Sequence, residues 1–400
     1  MNALINILTF SEILLLTYLG ISILYFLVFT IASLFYKENH RIKVYSKQKL
    51  LVLIPAYKED AVIVETARSA VHHRSRFSDF EVMVIADSLH PTTIISLQKT
   101  GAQVLKVEFD KSTKTKAINK ALSSLTKVYD YAVVLDADNM MAPNFMDNII
   151  QELNRGYPIV QGHRTSKNNN TSIAILDGFS EEINNAIFRK GHRTLNLSSS
   201  LIGSGFACEY SLFKSIMAKI KAVGGFDKEL EVELIRNDIT IGYAHNAMVY
   251  DEKVQQPGAF INQRRRWLSA QWIYLKKYFS HSVLHFLKTG NIDYLDKVTQ
   301  FLLPPRVAAL GLLTVLFLFN LMIFLITQSA SIINLSIAVG SLLLTLTTTL
   351  LLALPKTLWN RHMITGILHL PKGFILMIKA LLQVKGSNKS FIHTPHGIIK

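Results

Sequence analysis

Apolar and polar positions along the 400-residue chain fall into three patterns. The first is the long charge-free run. Ile13–Tyr36 carries no Asp, Glu, Lys or Arg across 24 positions, and Val307–Leu354 carries none across 48. A spanning helix needs about 20 apolar residues. The first run therefore predicts one span. The second predicts two, near 307–326 and 331–354, turning at Thr327-Gln328-Ser329. The first run is too long for a signal-peptide core and lacks a basic leader and a small-residue cleavage site, so it is expected to be permanent. The second pattern is the short, dense apolar run: Leu50–Pro55, Glu81–Ala86, Gln103–Val107 and Tyr131–Leu135. Such runs suit strands buried on both faces. Helix-length segments separate them, at Ala61–His72, Thr92–Thr100 and Thr113–Ser124. The alternation predicts an α/β domain with a mostly parallel sheet. The third pattern is amphipathic: Phe260–Phe279, with Trp267, Trp272, Tyr274 and Tyr278, and Phe374–Val384, which is too short to span and reads as an interfacial helix.

These patterns divide the chain into five parts. They are a spanning helix with its basic flank (1–47), an α/β domain (48–255), an amphipathic region (256–300), a membrane hairpin (301–354) and a basic tail (355–400).

Composition agrees with this mixture. Half of the residues are hydrophobic and 18% are charged, which excludes a disordered chain. Net charge is +15, a balance that suits nucleic acid, anionic lipid or phosphorylated ligands. Its distribution removes the main support for nucleic acid. Lys37, Arg41, Lys43, Lys47 and Lys49 follow the first span, and residues 355–400 hold seven Lys/Arg and no acid. Basic flanks stay cytoplasmic. The expected location is thus an integral membrane protein of a bacterial-type inner membrane, with the α/β domain and tail inside. A single cysteine, Cys208, excludes an intrachain disulfide and any multi-cysteine zinc site. The histidines read as surface or interfacial groups, and the sequons at Asn169, Asn170 and Asn196 fall in the expected cytoplasmic region.

In parallel sheets, ligands sit beyond the carboxyl ends of the strands. The residues there are Pro55-Ala56-Tyr57-Lys58-Glu59, then Asp87-Ser88, then Asp136-Ala137-Asp138-Asn139. Asp136 and Asp138 are two apart, so in extended chain they share a face. Two carboxylates there suit a hard divalent cation, Mg or Mn, that also grips a diphosphate. Lys111, Lys114 and Lys116 follow the third strand, and any one of them suits a phosphate. Gly203-Ser204-Gly205 allows close backbone approach. Gly224-Gly225-Phe226-Asp227 opens an acidic stretch, Asp227, Glu229, Glu231 and Glu233, that suits either a helix start or a carboxylate general base. Gln263-Arg264-Arg265-Arg266-Trp267 offers a guanidinium for phosphate and an indole for stacking on a sugar.

In this order, P-A-Y-K-E, A-D-S, D-A-D, G-G-F-D and Q-R-R-R-W resemble family 2 glycosyltransferases over roughly residues 48–270. More narrowly they resemble the membrane-embedded Q-x-x-R-W branch that includes cellulose, chitin and hyaluronan synthases and ceramide glucosyltransferase. The resemblance implies a GT-A fold, a nucleotide-diphosphate sugar donor, a divalent metal and inversion at the anomeric carbon. By position it implies that Pro55, Ala56, Tyr57, Glu59, Asp87 and Lys116 hold the nucleotide. Asp136 and Asp138 then hold the metal, Asp138 more directly. Gln263, Arg266 and Trp267 bind the diphosphate and the acceptor. The family's T-E-D base is not intact. Counted from Gly224, Glu229 takes its place, with Asp227 and Glu231 as rivals. The implied activity is transfer to a polysaccharide or oligosaccharide. A membrane-lipid acceptor and a non-catalytic nucleotide-sugar-binding protein are the alternatives. An oligomer or an export partner would be needed for a translocation pore, since three spans are few for one.

Overall fold

The computed structural model describes residues 2–38, 46–386 and 397. In chain order the elements are α1 (Asn2–Leu34), β1 (Gln48–Tyr57), α2 (Ile63–Val71), β2 (Ser78–Asp87), α3 (Pro91–Gln98), β3 (Gln103–Val107), α4 (Lys114–Ser124), β4 (Tyr131–Val134), β5 (Met140–Met141), α5 (Phe145–Leu153), β6 (Ile159–Ser166) and α6 (Ser172–Asn185). A π-helical turn, Ala186–Gly191, continues α6 into α7 (His192–Thr194). Then come β7 (Phe206–Glu209), α8 (Tyr210–Met217), α9 (Phe226–Arg236), β8 (Ile241–Asp251), α10 (Pro257–Thr289), α11 (Ile292–Thr299), α12 (Arg306–Thr327), α13 (Ala330–Ala353), α14 (Arg361–Leu368) and α15 (Leu370–Leu382).

Among the described residues, eight strands form one sheet in the order β3-β2-β1-β4-β7-β6-β8-β5. Neighbours β3, β2, β1 and β4 are parallel, as are β6 and β8. β7 runs antiparallel to both β4 and β6. The apolar runs become strands because their side chains face two cores. On β1, Leu50, Val52 and Ile54 join one buried cluster while Leu51 and Leu53 join the other. Successive strand side chains point to opposite faces, so a sheet covered on both sides needs an unbroken apolar run.

Polar residues mark the ends of elements. Thr113 caps α4 by accepting from the Lys116 backbone N–H at 3.1 Å. Pro257 opens α10, and Gly290, at φ +75°, closes it. The amphipathic pattern over 260–279 is the first two-thirds of this 33-residue helix. Ala270, Tyr274 and Tyr278 face the core beneath the sheet, whereas Trp272 and Ile273 are exposed.

Phe10–Leu34, Arg306–Thr327 and Ala330–Ala353 are long and apolar enough to cross a membrane. The turn between the last two falls at Gln328, whose φ is +50°. α14 and α15 meet at an angle of 51° and together have the length and composition of a broken span or a re-entrant loop. α1 binds the α/β domain as well as the hairpin. Leu19, Ile23, Phe26 and Phe29 pack among Ile183, Ala186 and Ile187 on one side and Val339 and Leu346 on another. The Tyr25 hydroxyl donates to Asp296 at 2.8 Å.

Candidate active site

The rim formed by the carboxyl ends of β1, β2, β4, β6 and β8 borders a cavity of about 410 Å³. β7 runs the other way, so the loop that enters it, 200–205, lies at this same rim. The Gly205 backbone N–H donates to the Val134 carbonyl at 2.7 Å. α4, α9 and α10 complete the wall.

Pro55, Ala56, Tyr57, Glu59 and Asp87 line one side of the cavity. Asp87 is buried, and its carboxylate accepts from the Ser88 hydroxyl at 3.0 Å. Asp136, Ala137 and Asp138 line the middle. Asp138 is buried and anchored, its Oδ2 accepting from the Glu252 backbone N–H at 2.7 Å. Asp136 is more open and forms an ion pair with Lys114. Lys114 also donates to the Gly203 carbonyl at 2.7 Å. Gly203 has φ +78°, a conformation that costs glycine nothing, so the loop can turn its carbonyl toward α4.

Of the lysines after the third strand, Lys114 lines the cavity. The Lys116 ammonium instead turns back to the Lys111 carbonyl at 2.9 Å and lies over Phe109, outside the cavity. The two lysines are two apart on α4, which puts them on different faces. Only the face that carries Lys114 meets the carboxylate of Asp136.

The acidic stretch is sorted by the same rule. Gly225, at φ +70°, caps α9, and an added Cβ would stand 3.0 Å from that of Ala270. Asp227 then follows in the first turn and lines the cavity. Burial pushes its carboxyl up, opposed by Lys228 and reinforced by Glu231. Glu229 does not line the cavity. It is buried against α10, in an ion pair with Lys277. Glu231 is fully buried, pairs with Lys297 at 3.1 Å and accepts from the Leu201 backbone N–H at 3.0 Å. Of the three acids the sequence offered as a base, Asp227 alone lines the cavity, while Glu229 and Glu231 face α10 and α11.

From α10, Gln263, Arg266 and Trp267 reach the cavity. Burial pulls the Arg266 guanidinium down, while Asp136 and Asp227 hold it up. The Gln263 Oε1 is enclosed without a hydrogen-bond partner. Arg264, between them in sequence, turns elsewhere: it pairs with Asp177 on α6 and lies over the Trp267 ring at 4.3 Å.

The sequence reading missed a charged layer beneath the rim. Arg164 at the end of β6 reaches Glu181 at 2.9 Å, Asp251 at 3.6 Å and Asp136 at 3.8 Å. Lys253 pairs with Asp251 at 2.8 Å, and Arg189 on the π-helical turn pairs with Glu181 at 3.5 Å. Burial opposes ionisation of Glu181, but Arg164, Lys253 and Arg189 outweigh it and hold the carboxyl well below its usual range. A polar residue at the end of an apolar strand, as at Arg164 and Asp251, was the available signal.

Asp136 and Asp138 offer hard oxygen donors to a divalent cation. Among the described residues no three His, Cys, Asp or Glu converge as a metal cage. These two carboxylates fit a cation whose other ligands come from a diphosphate and water, as Mg²⁺ sites commonly do.

No curated protein matches the sequence. Among solved structures, the chain is similar to the mannosyltransferase PcManGT from Pyrobaculum calidifontis, solved with GDP-Man and Mn2+. The TM-score is 0.53 at 13% identity, over 95% of this chain and 99% of that one. It is also similar to glucosyl-3-phosphoglycerate synthase from Mycobacterium tuberculosis, at TM-score 0.38 and 17% identity, over 53% of this chain and 75% of that one. At such identities the first likeness shows the fold, a GT-A-like α/β fold with a mostly parallel sheet, and the second carries no more. The model of the family described as glycosyltransferase like family 2 matches residues 48–270, more than half of the chain, and the chain belongs to that family.

Proposed function

We propose that the protein is a membrane-anchored glycosyltransferase that moves a sugar from a nucleotide diphosphate to an acceptor hydroxyl, with inversion at the anomeric carbon. The observation that carries this reading is one cavity lined by Asp136, Asp138, Lys114, Arg266 and Asp227 opposite Pro55, Ala56, Tyr57, Glu59 and Asp87. The first four surround a diphosphate with opposite and metal-ready charge. The fifth is a carboxylate whose burial makes it more basic than usual.

Tyr57, Glu59 and Asp87 border the place for the nucleoside. Asp138 and Asp136 would hold Mg²⁺ or Mn²⁺, which when bound neutralises charge on the leaving diphosphate. Lys114 and Arg266 add fixed positive charge there, strongest in the transition state, where the leaving group gains charge. Asp227 accepts the acceptor hydroxyl proton as the oxygen attacks the anomeric carbon. The bond from that carbon to the diphosphate breaks, and the nucleoside diphosphate leaves. Trp267 and Gln263 suit the acceptor. Attack opposite the leaving group gives inversion.

In this reading the α/β domain lies on the cytoplasmic face, where nucleotide sugars are available. One observation favours a lipid acceptor over a polysaccharide. Asn184, Phe188 and Phe301 line the cavity, and Arg306, which opens a candidate span, hydrogen-bonds Asn184 at 2.7 Å. The deep end of the cavity thus abuts the base of the hairpin.

The test is nucleotide release by purified protein with lipid extract, across UDP-, GDP- and dTDP-sugars, with Mn²⁺ or Mg²⁺. Metal-dependent release of one nucleotide, lost in Asp138→Ala, is the expected result. Release from no donor overturns the reading. Sizing the product then separates glycolipid from polymer.

A further inference from the structure

Arg306 is the first residue of α12 and stands where that candidate span meets the α/β domain. Its Nη2 donates to the Asn184 Oδ1 at 2.7 Å and to the Ser180 carbonyl at 3.3 Å. Its guanidinium carbon lies 6.0 Å from the Phe26 ring centre and 5.9 Å from that of Phe188. Its Nη1 is enclosed and has no hydrogen-bond partner among the described residues. Among the described residues no carboxylate lies within ion-pair distance of it. A guanidinium N–H left without a partner is unfavourable, so an anionic group brought to it supplies the hydrogen bond that the protein does not.

The surroundings reinforce the sign. α6 presents Asp177, Ser180, Glu181 and Asn184 along one side, and these face Arg264, Arg306, Arg164 and Arg189. Arg264, Arg164 and Arg189 each have a carboxylate partner, Asp177 or Glu181, whereas Arg306 meets only the neutral Ser180 and Asn184. Asn184 and Phe188 line the catalytic cavity, so Arg306 lies one side chain behind its wall. Phe301 lines the cavity too, while its neighbour Leu302 is exposed and accepts from Tyr18 of α1 through its carbonyl at 2.7 Å. The cavity therefore approaches the surface that the candidate spans present to lipid.

We propose that Arg306 binds the phosphate of the acceptor, and that the acceptor is a membrane phospholipid whose headgroup carries a free hydroxyl. The phosphodiester sits at the arginine, at the level where lipid phosphates lie. The hydroxyl reaches into the cavity, loses its proton to Asp227 and takes the sugar, releasing the nucleoside diphosphate. The phosphate is bound and is not the nucleophile, which is why the site keeps both an arginine and a base. This inference rests on the transferase reading above and adds the acceptor class to it.

The test uses full-length protein in lauryl dimethylamine oxide micelles, which carry no hydroxyl, with the donor identified by nucleotide release. Phosphatidylinositol and phosphatidylglycerol are compared with diacylglycerol and glucosyl-diacylglycerol, which have hydroxyls but no phosphate. Soluble myo-inositol phosphate supplies phosphate without a lipid. The expected result is labelled sugar in the two phospholipids at least about tenfold above the other three. Arg306→Gln raises the acceptor KM about tenfold or more, well beyond any change in the donor KM, and Arg306→Lys restores part of it. Should Arg306→Gln fail to fold, Asn184→Asp, which sets a carboxylate against the guanidinium, gives the same rise. Equal use of the neutral lipids, or an acceptor KM that ignores these substitutions, overturns the proposal. Preference for the soluble phosphate overturns its lipid half. If wild-type protein releases no nucleotide from any donor, the transferase reading itself has failed, which is a different result from release without phospholipid transfer.

Discussion

The rim of the sheet and the first turns of α9 both deliver carboxylates toward one cavity, yet they do so under different rules. At the rim, Asp87 and Asp136 follow strands whose ends are aligned by parallel pairing, Tyr57 opposite Asp87 and Leu53 opposite Val134. A residue just past such a strand has few other places to be. On α9 the acids Asp227, Glu229 and Glu231 lie within two turns, and rotation about the helix axis sends each to a different neighbour. One meets the cavity, one meets Lys277 and one meets Lys297. A strand end fixes direction by pairing, whereas a helix fixes it only once its packing partners are known.

Substitution at the rim breaks the comparison hardest. Asp138→Ala removes an anchored carboxylate from the diphosphate's place, and transfer is expected to fall by at least about 10³-fold. Steady-state transfer at saturating metal checks this, and a loss below tenfold would remove Asp138 from the mechanism. Asp227→Asn comes next. Loss of a general base typically costs about 10²–10⁴-fold, and the fall is expected in kcat with the donor KM little changed. Lys114→Ala is expected to raise the donor KM and lower kcat, together about 10- to 100-fold, against less than about threefold for Lys116→Ala. Reversal of that order would return the phosphate contact to Lys116.

The same contrast explains what was legible in the sequence. Leu50–Pro55 and Tyr131–Leu135 were readable because a strand buried on both faces is an unbroken apolar run; the first lies within β1 and the second contains β4. The three long apolar helices were readable because charge-free runs of more than about 20 residues leave few other readings. Lys114 and Lys116 were not separable, since which face of α4 meets the sheet depends on packing between distant segments. Arg164, Glu181 and Asp251 were invisible for a related reason. They lie on three separate elements and meet only after β6 and β8 pair across a break in register at Gly162 and His163. Motif order carried the family, and it could not carry the orientation of α9.

The pH profile sharpens the assignment of the base. Burial raises the Asp227 carboxyl, with Glu231 adding to it and Lys228 and Lys114 opposing. A base must be ionised to act, so activity is lost as pH falls through this raised value. The acid limb of kcat is therefore expected above the ordinary aspartate value of about 3.9. A limb at or below that value would argue that a better-solvated carboxylate does the work.

The smallest effect is the most discriminating. Glu229 is held in an ion pair with Lys277, whose side chain is half exposed. Pairs screened by solvent contribute about 0–1 kcal/mol, so Glu229→Gln is expected to lower the melting temperature by only a few degrees. Transfer should stay within about threefold of wild type, because the lost charge faces α10 and not the cavity. The amide keeps the shape and one acceptor oxygen toward Lys277, so a large loss of transfer could not be ascribed to packing. Such a loss, with Asp227→Asn still active, would mean that Glu229 and not Asp227 meets the substrate in the bound state. Melting curves run beside the transfer assay distinguish that outcome from simple destabilisation.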